Sequence, residues 1–172
     1  MSVTLVLGGA RSGKSLFAES LAEGERHYVA TAEGLDDEIR QRIALHQQQR
    51  GASWTTHEAP LNLVAALAAI DGAGRFILVD CLTLWLSNLM LAENNIEAAA
   101  SALVAQLAKM KADVVLVSNE VGLGLVPETR LGRDFRDAQG RLNSQVAAAA
   151  DHVVFVAAGL PLVLKGQISK QL

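Results

Sequence analysis

Short runs rich in strand formers recur along the chain at 3–7, 27–31, 53–57, 76–79, 114–117 and 153–156. Between most of them lie longer helix-compatible segments, 14–23, 36–50, 61–70, 82–111 and 131–150, the fourth broken near Asn94 and Asn95. Several of the runs are nearly continuously apolar, the pattern of strands covered on both faces. Strands alternating with helices in this way predict an α/β fold, a mostly parallel sheet flanked by helices on both faces. Asp71-Gly72-Ala73-Gly74 reads as a turn before a strand. The stretch "NEVGLGLVPETR", 119–130, reads as a glycine- and proline-bearing loop after a buried strand, where ligand-contacting loops of open α/β sheets sit. The polar tail, 166–172, reads as frayed.

A chain of 172 residues suits one domain, 1–172, with a sizeable core. Its composition is 51% hydrophobic, much of it alanine in runs such as 147–150, which reads as close helix packing. No stretch reaches about 18 consecutive apolar residues and no basic segment precedes the first strand, so the expectation is a cytoplasmic protein without a membrane span or signal peptide. Cys81 has no partner for an internal disulfide and reads as an inert core thiol. A net charge of -3 with scattered cations gives no nucleic-acid footprint, so small-molecule partners are expected.

The segment "GGARSGKS" fits Gly-x4-Gly-Lys-Ser/Thr and stands between a strand and a helix, the context such a phosphate loop requires. The fold expected is therefore P-loop NTPase-like. Gly8, Gly9, Ala10, Arg11, Ser12, Gly13, Lys14 and Ser15 would cradle phosphates, because glycines let consecutive N–H groups turn inward. Lys14 would reach the terminal phosphates, and the Ser15 hydroxyl would ligate Mg²⁺. Magnesium also needs an acid, and Asp80, ending the run 76–79, is the first choice. Glu120 is the second; either could instead cap the structure that follows it.

A signalling GTPase would carry Asn-Lys-x-Asp, and the chain has none. Asp137-Ala138-Gln139-Gly140 imitates a switch motif but lies in a helix-like stretch. More informative is 36–50, "DDEIRQRIALHQQQR", where Arg42, His46 and Arg50 recur at four-residue spacing and so share one helical face. Two guanidiniums would push the imidazole pKa below about 6.5, leaving a neutral nucleophile beside groups that grip phosphate. Such an arrangement suits a covalent nucleotidyl-histidine. Spacing alone, however, favours a solvated face with an incidental histidine. His27, His57 and His152 read as packed or solvated residues.

Together with "YVATAE", "WTTHEAP", "VDCLTLWLSNL" and "VSNEVGLGLVPETRLGRDFRDAQGRLNSQVA", these segments make the chain resemble a family from residue 5 to about 158. It is the bifunctional adenosylcobinamide kinase / adenosylcobinamide-phosphate guanylyltransferase family of cobalamin biosynthesis. The resemblance implies that His46 becomes guanylylated. It also implies GTP contacts on the phosphate loop, on Thr31, Ala32 and Glu33, on Gln47, Gln48, Gln49 and Arg50, on Glu58 and on Asp80. It further implies ATP or GTP as phosphoryl donor, adenosylcobinamide and its phosphate as acceptors, and a homo-oligomer, a trimer. The alternatives are a P-loop kinase of another small alcohol lacking guanylyltransferase activity, with His46 structural, and a nucleotide-dependent regulatory module.

Overall fold

In a computed structural model we describe residues 1–32 and 53–168; the segments 33–52 and 169–172 lie outside the described residues. The elements in chain order are β1 (Val3–Gly8), α1 (Lys14–Ser20), β2 (Glu25–Ala30), β3 (Trp54–Glu58), α2 (Leu63–Ile70) and β4 (Arg75–Asp80). There follow α3 (Leu82–Leu91), α4 (Ile96–Leu107), β5 (Asp113–Asn119), α5 (Arg130–Ala149), β6 (His152–Ala157) and β7 (Leu160–Lys165). The seven strands form one sheet in the order β3-β2-β4-β5-β1-β6-β7. Every pairing is parallel except β6 with β7.

Side chains alternate between the faces of a strand, so nearly continuous apolar runs feed two cores. On one face Leu5, Val29, Ile77, Val79, Val114 and Leu116 meet Leu67 of α2, Trp85 and Leu86 of α3, Leu103 of α4 and Leu142 of α5. On the other, Val6, Tyr28, Leu78, Val115, Val117 and Val156 pack with Phe17 and Ala18 of α1. The mostly parallel sheet covered on both faces is as expected.

The helical stretch 82–111 breaks where expected. After α3 the chain turns through Glu93 at φ 53°, and the Asn95 side chain then caps α4 by accepting from Ala98 N at 3.0 Å. In contrast, α1 stops at Ser20, short of the predicted 23, and the chain leaves through Gly24 at φ 70°. The strand β7 was not anticipated from the sequence. It follows a two-residue turn, Ala158 and Gly159, both at positive φ, the conformation that matches the twist of a hairpin. Pro161 is tolerated because β7 is an edge strand. Lys165 closes the hairpin against α5, donating to the carbonyls of Ala147 and Ala148 at 3.1 and 2.9 Å at the helix's negative end. Within the tail expected to fray, Ile168 packs against the α1-side core.

On the α2 side, the outer strand β3 is tied to β2 by a histidine pair. His27 Nδ1 lies 3.0 Å from His57 Nε2, and His27 Nε2 lies 3.0 Å from Glu25 Oε1. Arg75 Nε donates to the other Glu25 oxygen at 3.2 Å. Desolvation and then the neighbouring His27 hold His57 below the usual imidazole pKa. The unfolded chain therefore binds more protons at His57 than the folded one, so folding should weaken as pH falls below the ordinary 6.5. We expect the melting temperature to drop between neutral pH and mildly acidic pH, and to drop less in His57→Gln, as followed by circular dichroism.

Candidate functional site

The loop between β1 and α1 has the closed shape a phosphate cradle needs. Gly13 sits at φ 93°, in the left-handed region, as the residue before α1. A Cβ on Gly8 would stand 2.5 Å from Ser12 Oγ and 2.6 Å from the Val156 carbonyl oxygen, so only glycine fits. The loop folds on itself through Ser12 N to Gly9 O at 3.3 Å. It is also braced from outside, since Gly159 N in the β6–β7 turn donates to Ser12 O at 2.8 Å. Lys14 arches back over the loop, its Nζ donating to Gly9 O at 3.1 Å. Ser15 follows within the first turn of α1.

Along the carboxyl edge of the sheet, alternation sorts the remaining candidates by face. Leu78, Val117, Val6 and Tyr28 belong to the α1-side core, so Asp80, Asn119, Gly8 and Ala30, each two residues further on, lean to the same side as the phosphate loop. Glu58 pairs in register with Ala30 and is exposed on that side. It stands four strands from β1, roughly 19 Å at ordinary strand spacing. The strand beside β1 is β5, not β4: Gly8 registers with Asn119, and Glu120 N donates to Gly8 O at 3.1 Å. Asp80 therefore lies one strand beyond Asn119. The sequence marks Asn119 only as the first residue of the candidate ligand-contacting loop 119–130, with no role of its own.

Glu120, the second acid considered, bends back to accept from Gly122 N at 2.6 Å, a capping role within its own loop. The loop after it is pinned at its far end by Arg133, which donates to the carbonyls of Pro127 and Glu128 at 3.0 and 2.7 Å. Between these anchors Leu123, Leu125 and Val126 are exposed, Leu125 to 96%. Among the described residues no group of three His, Cys, Asp or Glu side chains could hold a metal ion.

Thr31 is fully buried, and its hydroxyl is committed inside the protein. It donates to Cys81 O at 2.7 Å and accepts from Cys81 N at 2.8 Å, while Asn88 Nδ2 donates to the Thr31 carbonyl at 2.8 Å. The Thr31 side chain thus ties the end of β2 to the start of α3, and Ala32 beyond it is half-buried. Burial and then the adjacent Asp80 carboxylate push the Cys81 thiol up to about 11. Glu33, Arg42, His46, Gln47, Gln48, Gln49 and Arg50 lie outside the described residues.

A family model described as cobinamide kinase / cobinamide phosphate guanyltransferase matches residues 4–164. The bifunctional adenosylcobalamin biosynthesis protein CobP of Pseudomonas aeruginosa is 46% identical over 168 residues, covering 95% of this chain and 97% of the relative. The corresponding protein CobU of Escherichia coli is 40% identical over 178 residues, covering 94% and 98%. Among solved structures, an ATPase of a bacterial type III secretion system aligns with TM-score 0.59 at 11% identity, over 94% of this chain and 56% of that one. The flagellar accessory protein FlaH of Methanocaldococcus jannaschii aligns with TM-score 0.52 at 13% identity, over 96% and 79%. These two share the P-loop NTPase fold with this chain.

Two outcomes follow from the loop and from the buried thiol. Lys14→Ala should abolish nucleotide binding in a calorimetric titration with GTP, with the melting temperature little changed. Cys81 should resist a thiol-reactive disulfide reagent in the native protein at neutral pH and react fully once the chain is denatured, because a buried neutral thiol is a poor nucleophile.

Proposed function

Since the chain belongs to the cobinamide kinase / cobinamide phosphate guanyltransferase family, we propose that it carries out both reactions on one corrinoid substrate. In the first, the hydroxyl of the aminopropanol arm of adenosylcobinamide attacks the γ-phosphorus of a nucleoside triphosphate, ATP or GTP. The new O–P bond replaces the bond to the bridging oxygen, and the diphosphate leaves. In the second, a ring nitrogen of His46 attacks the α-phosphorus of GTP and expels pyrophosphate. A phosphate oxygen of adenosylcobinamide phosphate then takes the GMP from His46, giving adenosylcobinamide-GDP and the free imidazole.

The observation that carries this reading is the closed loop from Gly8 to Ser15, with the Lys14 ammonium arched over it and Asp80 leaning to the same side of the sheet. A cradle of this kind stabilises charge on a triphosphate whichever phosphorus is attacked, and the position of the nucleophile selects the reaction. Glu58, at the far end of the same edge, suits a contact with the nucleoside end of GTP. Ala32, Glu33 and the run Gln47, Gln48, Gln49 and Arg50 complete the proposed GTP contacts. Thr31, whose hydroxyl, amide and carbonyl are all bonded within the protein, belongs to this set through the position it gives Ala32.

Mg²⁺ fits the donors present. Ser15 and Asp80 offer hard oxygens in the number magnesium uses when phosphates and water fill its other positions, without an all-protein cage. When bound, the ion would neutralise charge developing on the phosphate oxygens. The exposed apolar residues of the loop 119–130, Leu123, Leu125 and Val126, suit the broad, partly apolar face of a corrinoid. A substrate so large favours a homo-oligomer, a trimer, in which neighbouring subunits widen the cleft. We further propose one catalytic domain over the whole chain, acting in the cytoplasm without nucleic acid.

Treatment with GTP followed by intact mass spectrometry tests the transferase half. Wild type should gain one GMP, His46→Ala none, and both should still phosphorylate adenosylcobinamide. An unmodified wild type that phosphorylates another small alcohol, and not cobinamide, would favour the simpler kinase.

A further inference from the structure

Across the sheet from the phosphate loop, where β5 meets α5, three polar side chains are enclosed in the larger core. Ser118 and Gln139 are 0% exposed and Asn143 is 5% exposed. They form a closed ring of hydrogen bonds. Ser118 Oγ donates to Asn143 Oδ1 at 2.6 Å, Gln139 Nε2 donates to that same Oδ1 at 2.9 Å, and Gln139 Nε2 also donates to Ser118 Oγ at 3.0 Å. Two donors converging on Asn143 Oδ1 fix which way its carboxamide points. Its Nδ2 must then face the other way, and there it donates to the main-chain carbonyl of Asn119 at 3.1 Å. The amide of the same residue, Asn119 N, donates to Thr83 Oγ1 at 2.8 Å. The Asn119 peptide groups are thus held from α5 and from α3.

An apolar contact would seal this interface without the desolvation that buried carboxamides suffer, and outside the ring Gln139 Oε1 is enclosed without a partner. Stability alone does not account for it. What the ring does hold is the direction of the next side chain. Ser118 points to α5, so Asn119 points to the α1 side, beside Gly8 on β1 and between that strand and Asp80 on β4. Its own Oδ1 is enclosed without a hydrogen-bond partner, and as an acceptor it has nothing to offer a phosphate oxygen, so Nδ2 is the end of this carboxamide that can donate to one.

We propose that Gln139 and Asn143 are positioning residues for both transfer reactions: with Ser118 they lock the main chain of Asn119 so that its carboxamide Nδ2, at the mouth of the phosphate loop, donates to a phosphate oxygen of the bound triphosphate. The contact is with the reacting phosphates and not with the base or the corrinoid. It strengthens as charge builds on those oxygens, so it acts on turnover more than on binding. Misplacement of a contacting group by about 1 Å is enough to slow a reaction by about 100-fold.

The inference rests on the bifunctional reading, and its test uses the wild-type full-length chain as reference for both activities. Gln139→Met and Asn143→Leu keep volume and remove the ring, whereas Asn119→Ala removes the proposed contact from a half-buried position. Each should lower kcat of the kinase and transferase steps by about 10- to 100-fold, with KM for GTP within about two-fold. Melting temperatures of the two ring variants should stay within about 4 °C of wild type or rise. The double variant Asn119→Ala/Asn143→Leu should be no slower than Asn119→Ala, because both changes break one path. Wild-type kcat in folded variants would overturn the proposal, as would losses that multiply in the double variant or that merely follow a fall in melting temperature. Should Asn143→Leu fail to fold, Asn119→Ala decides alone, and wild-type turnover by it overturns the proposal. An active wild type with unmoved variants strikes only this inference; a wild type that forms no GMP adduct strikes the transferase reading instead.

Discussion

Closure of the main chain between β1 and α1 is the constraint on which the rest of the site depends. Gly8 has no room for a side chain, Gly13 adopts a conformation that a Cβ disfavours, and the Ser12 carbonyl is held by the amide of Gly159. The last bond shows that the cradle is not a local object. It rests on the β6–β7 turn, which is more than a hundred residues away in sequence and is brought close because β6 pairs directly with β1. The edge hairpin that looks peripheral in the strand order is therefore part of the support of the phosphate loop.

The sheet divides labour between its faces. The larger core, with α2 to α5, carries most of the enclosed apolar side chains, among them Trp85, Leu67, Leu86 and Leu103. The smaller core, with α1, lies beneath the edge where Gly8, Asn119 and Asp80 lean the same way. Of the polar groups sunk into the first face, Asn143 bonds the main chain of Asn119, the residue that faces the second, and Ser118 and Gln139 fix the orientation of Asn143. The buried tie of Thr31 to Cys81 and Asn88 works in the same manner one strand beyond Asp80, joining β2 to the start of α3. In both places the polar group stands at the carboxyl end of a strand, where the ladder stops and main-chain groups need other partners.

How much could be read from the chain in advance depended on how local each feature is. The phosphate loop was legible because its eight residues are contiguous and its glycines, lysine and serine each have a separate physical reason to be there. Asp80 stood out for a similar reason, an acid ending an apolar run. The break between α3 and α4 was legible in Asn94 and Asn95, since asparagine caps a helix by its own side chain. Strand β7 escaped because a proline sits in its apolar run, and only the sheet shows that the run lies at an edge where a missing donor does no harm.

The amino-acid sequence by itself determined the α/β character of the chain, the place of the phosphate loop and the family resemblance, because each is written in residues that are neighbours or follow a short period. The tertiary structure alone decided the strand order, and with it that β5 separates β1 from β4 and sets Asn119 beside Gly8. It likewise decided that Thr31 and Glu120 spend their polar groups on their own surroundings while Asp80 leans toward the cradle. Strand order escapes a sequence because a strand's pattern records only that both its faces are covered, and several neighbours would cover them equally well.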